Sequence, residues 1–184
     1  RAAMQTNLLA DQFLVRSLVG PEANTFTFIA NRLLQLPIAL VGIAAMTGAM
    51  PLFSRLAAKN DIAGMNTNLR RASEPTTMLL SYPMVGLTVL ALPVVTVLFE
   101  RGKVTPADSV LIAKTLQAYL WVLPIIGLSG LLTRAYQAMH SYKLARICAV
   151  MDIPVNMALD IIGMKDYGPP AAGWGTTVSM LVQL

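Results

Sequence analysis

The stretch PTTMLLSYPMVGLTVLALPVVTVLF, Pro75–Phe99, runs twenty-five residues without one charged side chain. About 20 apolar residues wound as a helix cover the roughly 30 Å of a bilayer's hydrocarbon core, so this stretch reads as a membrane-crossing helix. The rest of the chain agrees with it. Apolar residues make up 55% of the 184, charged residues 12%, and the mean hydropathy is +0.61, against about 45–50% apolar and about 25% charged in ordinary soluble domains. A globule of this size would still need a wetted polar surface; a surface facing lipid needs none. The fold class is therefore all-α: a polytopic membrane helical bundle.

Five further runs flank the first. Val110–Leu132 is interrupted by Lys114 alone, and Thr25–Leu52 holds Arg32 near its start. Ala2–Val19 carries Asp11 and Arg16, Ile147–Met164 carries Asp152 and Asp160, and Ala171–Leu184 is apolar to its last residue. Six spans are expected, at about 2–19, 25–52, 75–99, 110–132, 147–164 and 171–184, the last one truncated. Arg1 in place of an initiator Met, and an apolar run still open at Leu184, read as the cut ends of a fragment, and no signal-peptide pattern opens it.

Prolines 37, 83, 93, 124 and 154 fall inside these runs. Membrane helices tolerate them where neighbours re-satisfy the freed carbonyls, so kinked, packed spans are expected. Gly42, Gly48, Gly86, Gly127 and Gly130 suit close helix contacts. Orientation follows from Lys and Arg in the short loops. One side would hold Arg55, Lys59, Arg70, Arg71, Arg134, Lys143 and Arg146; the other holds Arg101, Lys103 and Lys165, with Arg16 as a fourth. The richer side is expected in the cytoplasm. There the segment 54–74, with Ile62, Met65 and Leu69 at helical spacing beside Lys59, Arg70 and Arg71, reads as a helix lying on the inner leaflet or as a solvated connector.

Several function classes drop out. The single Cys148 excludes an internal disulfide and, with the lone His140, a Cys/His zinc cluster. The net charge of +5 comes in short groups between apolar runs without interleaved aromatics, so nucleic acid is not an expected partner. The glycines form no phosphate-binding loop, and no Ser/His/Asp, Cys/His or paired-carboxylate arrangement recommends catalysis. The chemistry is expected in ionisable residues inside spans, where a charge costs about 2.5–3.5 kcal/mol on insertion scales. These are Asp11, Arg32, Lys114, Asp152 and Asp160. Arg32 has two readings: a guanidinium that snorkels to the interface, or one that faces a cavity and forks onto phosphate oxygens. Asn156 and Asp160, four apart, share a helical face. With Asp11 and a hydroxyl from Thr176 or Thr177 they would offer hard oxygen ligands to a small cation, or else form a helix–helix hydrogen-bond cluster. Lys114 and Asp152, near span ends, read as snorkelling residues.

Specific runs carry a family likeness. Ala30-Asn31-Arg32-Leu33-Leu34-Gln35-Leu36-Pro37, then Gly42-Ile43-Ala44 and Pro51-Leu52-Phe53-Ser54-Arg55, resemble the eighth-helix signature of the MurJ/MviN flippases. Leu98-Phe99-Glu100-Arg101-Gly102-Lys103-Val104-Thr105 is similar to that family's next outer loop, and Arg134-Ala135-Tyr136-Gln137-Ala138 to its following inner loop. The resemblance spans essentially the whole chain, as the second six-helix lobe of a MATE-like transporter of the MOP superfamily, with the N-terminal lobe of the same polypeptide missing. It implies export of the lipid-linked peptidoglycan precursor lipid II across the bacterial cytoplasmic membrane by alternating access, in support of cell-wall synthesis. It implies that Arg32 is the cavity arginine that engages the diphosphate and headgroup. It also implies that Asp11, Asn156, Asp160 and Thr176 form a sodium site, sodium being the only bound group expected. Two departures stand out: Asn31 where the family usually has Asp, and His140-Ser141-Tyr142-Lys143-Leu144 where it usually has an Asp-Thr-x-x-Pro pattern. They keep open a lipid-linked polysaccharide flippase or a cation-coupled exporter of small amphiphiles from the same superfamily, and a non-transporting membrane scaffold.

Overall fold

The computed structural model describes residues 21–100, 104–141, 154–156, 158–159, 162–163 and 168–182, with side chains from residue 24 on. The expected span 2–19 and most of 147–164 lie outside the described residues, as do Asp11, Arg16, Asp152 and Asp160. Every regular element among the described residues is helical. Helix α1 is Pro21–Pro37, a π-helical turn follows at Ile38–Gly42, and α2 is Ile43–Ala58. Then come α3, Ile62–Phe99; α4, Pro106–Leu120; α5, Val122–Ala138; and α6, Pro170–Val182.

Local chemistry sets the helix ends. The Asp61 carboxylate accepts the Gly64 N–H at 2.8 Å, capping the start of α3. Asn60 just before it takes φ 51°, the left-handed conformation that Asn tolerates and that reverses the chain within three residues. At the start of α4, Thr105 and Asp108 form a reciprocal capping box, with the Asp108 N–H on the Thr105 hydroxyl at 3.3 Å and the Thr105 N–H on the Asp108 carboxylate at 2.8 Å. Pro106 takes the first helical position, where its missing N–H is no loss.

Three stretches among the described residues are long and apolar enough to cross a membrane: Asn24–Ala58, Ile62–Phe99 and Pro106–Ala138. Each outruns its expected span. At 1.5 Å per residue the 38 residues of α3 extend about 57 Å. The segment 54–74 accordingly differs from the expected leaflet-lying helix: α2 runs on to Ala58, and Ile62–Glu74 is the beginning of α3 itself. Two of its three apolar stripe residues have a partner inside the lobe, since Met65 is buried with Phe53, Leu131 and Ala135, and Leu69 packs against that cluster, while Ile62 is exposed. The main core lies nearer the other end, around Leu80, Ile112, Leu116, Leu120 and Leu123. Outside these cores apolar side chains are left bare: Leu40 is 77% exposed and Val89 74%. A lobe immersed in water would be destabilised by such a surface, whereas one in lipid is not.

Pro75, Pro83 and Pro93 all sit within α3 without ending it. Its main packing is against α5 and α4, while α6 lies along α4, α1 along α4, and α2 along α5. The glycines divide by what they touch. A Cβ on Gly127 would meet the Leu80 and Thr76 side chains, and one on Gly130 the flexible end of Met46, as expected of close contacts. Gly48 and Gly86 face open space, so the expected contacts are not made there among the described residues. The closest approach to a neighbouring backbone is at Gly173, where a Cβ would lie 2.7 Å from the Ala118 Cβ and 2.8 Å from the Tyr119 backbone nitrogen.

Candidate functional site

Helix α1 presents two faces. Ala30, Leu33, Leu34 and Pro37 are buried against the lobe, while Phe28, Arg32, Gln35 and Leu36 are exposed. The Arg32 guanidinium carbon lies 5.0 Å from the centre of the Phe28 ring, one turn earlier. The spacing of four places ring and cation on one helical face, within reach of a cation–π attraction. Among the described residues the only ion pair joins Arg70 and Glu74 at 3.7 Å, both exposed; no carboxylate there neutralises Arg32. Arg32 lies eleven residues, about 16 Å at 1.5 Å per residue, beyond Pro21, the first described residue of α1. Asn31 is half buried beside it.

The expected cation ligands fall in two groups. Asp11 and Asp160 lie outside the described residues. Asn156 is 1% exposed, and its carbonyl oxygen Oδ1 has no hydrogen-bond partner among the described residues. Leaving a buried carbonyl oxygen unsatisfied costs about 1–3 kcal/mol, so an orphan of this kind fits a hard-oxygen ligand for a cation. Thr176 is half buried and donates its hydroxyl proton to the Ala172 carbonyl at 2.9 Å, keeping its oxygen lone pairs available. Thr177, the alternative, is buried between helices; it donates to the Gly173 carbonyl at 2.8 Å and reaches the Ala118 carbonyl at 3.5 Å. It ties α6 to α4, which separates the two threonines that spacing alone left equivalent.

Lys114 is exposed, and it lines a groove of about 510 Å³ with Gln117, Trp121 and Trp174. Sequence reasoning named neither tryptophan nor Phe28. The spacing of Phe28 four residues before Arg32 was the available signal for the ring; the groove depends on helix placement and had none.

The sequence model of the family described as lipid II flippase MurJ matches residues 1–184. The chain belongs to the MurJ family. The probable lipid II flippase MurJ of Chlamydia muridarum is 30% identical over 185 aligned residues, covering 95% of this chain and 34% of that protein. The lipid II flippase MurJ of Thermosipho africanus is 29% identical over 83% of this chain and 31% of its own length. A solved structure, lipid II flippase MurJ in an inward closed conformation, superposes with a TM-score of 0.87 at 28% identity, covering 98% of this chain and 38% of that one. The chain thus spans about a third of the length of the MurJ relatives it matches. With its apolar helices, it is a multi-pass protein of the bacterial inner membrane, and its fold is that of a MurJ helical lobe.

Proposed function

We propose that this lobe works within a lipid II flippase, moving the lipid-linked peptidoglycan precursor across the cytoplasmic membrane without a covalent step. The observation that carries the reading is Arg32: a cation on an apolar helix, set over Phe28 and unpaired among the described residues, in a chain matched by the MurJ family from end to end. Its fork would take two oxygens of the substrate diphosphate, strong charge-assisted hydrogen bonds in a region of low dielectric. The face that carries it is bare in this lobe, and the remainder of the polypeptide would complete the cavity around it. In proteoliposomes containing the full polypeptide, the fraction of labelled lipid II accessible from outside should rise well above that in empty liposomes. An unchanged fraction with correctly inserted protein would sink the proposal.

The orphan oxygen of Asn156, with Asp11, Asp160 and Thr176, would hold a sodium ion. Such an ion would screen two carboxylates that otherwise repel in a low-dielectric interior, and the residues holding it would link the first, fifth and sixth spans. Ligands that bind the folded form stabilise it, so sodium should raise the Tm of the purified full polypeptide more than potassium at equal ionic strength. Asp160→Asn should erase the difference. Equal shifts for the two ions in the wild type would return Asn156 and its neighbours to a packing role.

A further inference from the structure

We propose that the groove between α3, α4 and α6 binds the phosphate-bearing headgroup of an anionic phospholipid, with Lys114 as its charge partner. The inference rests on the chain being a membrane protein and not on what it transports. Lys114, Gln117 and Trp121 are spaced i, i+3 and i+7, so they form one face of α4. Ile112, Ala113, Thr115 and Leu116 point into the lobe instead. The groove between this face, Thr88 of α3, and Pro170 and Trp174 of α6 encloses about 510 Å³. None of these residues belongs to α1 or to the face that carries Arg32.

Four features select the occupant. Lys114 is a cation on a flank where Val85, Val89 and Val178 are bare, and among the described residues no carboxylate pairs with it. A charge in such surroundings seeks a counter-charge. The helical Cα–Cβ bond tilts toward the N-terminus, which aims the lysine toward the Pro106 end of α4. Pro170, the first residue of α6, also lines the groove, and Lys114 lies only four residues inside the expected span 110–132, so the lysine end of the groove reaches the level where headgroups begin. Trp121 and Trp174, 48% and 51% exposed, line the groove with broad rings, and Trp121 stands mid-span, at the depth where the acyl chains of a bound lipid would lie. Finally, the Gln117 side-chain amide donates to the Thr88 carbonyl at 2.9 Å, which pins it and leaves its own oxygen to accept from a hydroxyl of the headgroup. A phosphate joined to hydroxyls, as in phosphatidylglycerol, answers all four.

The test uses the full polypeptide in phosphatidylcholine nanodiscs, with every tryptophan except Trp121 and Trp174 replaced by phenylalanine. Phosphatidylglycerol brominated in its acyl chains should quench the remaining fluorescence at a lower mole fraction than brominated phosphatidylcholine does. Lys114→Gln should weaken that preference about fivefold, the factor corresponding to ~1 kcal/mol for one basic residue near an anionic surface. Lys114→Arg should keep the preference, and since position 114 is exposed both variants should retain the helical content of the parent. Equal quenching by the two lipids would overturn the proposal. So would a preference that survives Lys114→Gln, or displacement of the brominated lipid by undecaprenyl phosphate but not by unbrominated phosphatidylglycerol.

Discussion

Arg32→Ala in the full polypeptide should abolish rescue of a bacterial strain depleted of its lipid II flippase, at unchanged abundance in the membrane. The expected size follows from the chemistry of the pair. A hydrogen bond to a charged group contributes about 1.5–3 kcal/mol, and a guanidinium on a diphosphate makes two, so alanine should lower headgroup affinity by two orders of magnitude or more. Arg32→Lys keeps the charge but loses the planar fork, and should rescue poorly. Phe28→Leu should give an intermediate phenotype, because it removes the ring that lies 5.0 Å from the guanidinium while leaving the cation in place. An exposed cation–π contact is worth about 0.5–1 kcal/mol, and here its main effect is on orientation. Growth after depletion, read beside an immunoblot of the membrane fraction, checks all three variants. Full rescue by Arg32→Ala would mean that the side chain only reaches for the interface.

Gly173→Ala should destabilise the protein despite adding a single methyl group and a better helix former. The new Cβ would sit 2.7 Å from the Ala118 Cβ, 2.8 Å from the Tyr119 nitrogen and 2.9 Å from the Ala118 carbonyl carbon. None of these atoms can rotate away, so α6 must move off α4, and the reach of Thr177 to the Ala118 carbonyl goes with it. Overpacking of this kind costs about 1–3 kcal/mol, enough to lower the Tm of the purified protein by several degrees. Gly173→Val should fail to accumulate. Gly86→Ala is the matched control, because nothing lies within 4 Å of its new Cβ and alanine favours the helix by up to about 1 kcal/mol. In Gly130→Ala the flexible end of Met46 can yield, and the loss should be small. If Gly173→Ala and Gly86→Ala melt together, the close α4–α6 approach does not contribute to stability.

The bundle was readable from the chain because hydropathy over 20 or more residues is a sum, and sums tolerate local error. Pro75–Phe99 shows this: its helical character was plain, yet the helix begins thirteen residues earlier, at Ile62. The apolar stripe Ile62, Met65, Leu69 looked like a surface for lipid because one sequence cannot say that Phe53 and Leu131 come to meet Met65 and Leu69, while Ile62 stays exposed. Glycines pose the same difficulty in sharper form. Gly86 and Gly173 look alike in sequence, and only helix placement makes one indifferent and the other critical. For the candidate site, Arg32 was legible because a charge in an apolar run is rare. Phe28 and Trp174 were not, because aromatic residues in such runs are common.

The π-helical turn at Ile38–Gly42 sets the helical phase of the first column. Arg32 and Phe53 are separated by 21 positions; at 100° per residue an unbroken α-helix would turn them to within about 60° of each other. The arginine would then share a side with a phenylalanine that is completely buried. A π turn absorbs one extra residue, which resets the angle to about 200° at 100° per residue and puts the two on opposite sides. The wide turn after Pro37 thus acts as a phase shifter, letting one continuous column seal the lobe's interior at one end and display a cation at the other. It is also the sort of feature that a single-residue insertion creates in one step, so the length of this short segment is under tighter constraint than its identity: Ile38, Ala39, Leu40 and Val41 can drift among apolar residues, but their number cannot change without turning Arg32 inward.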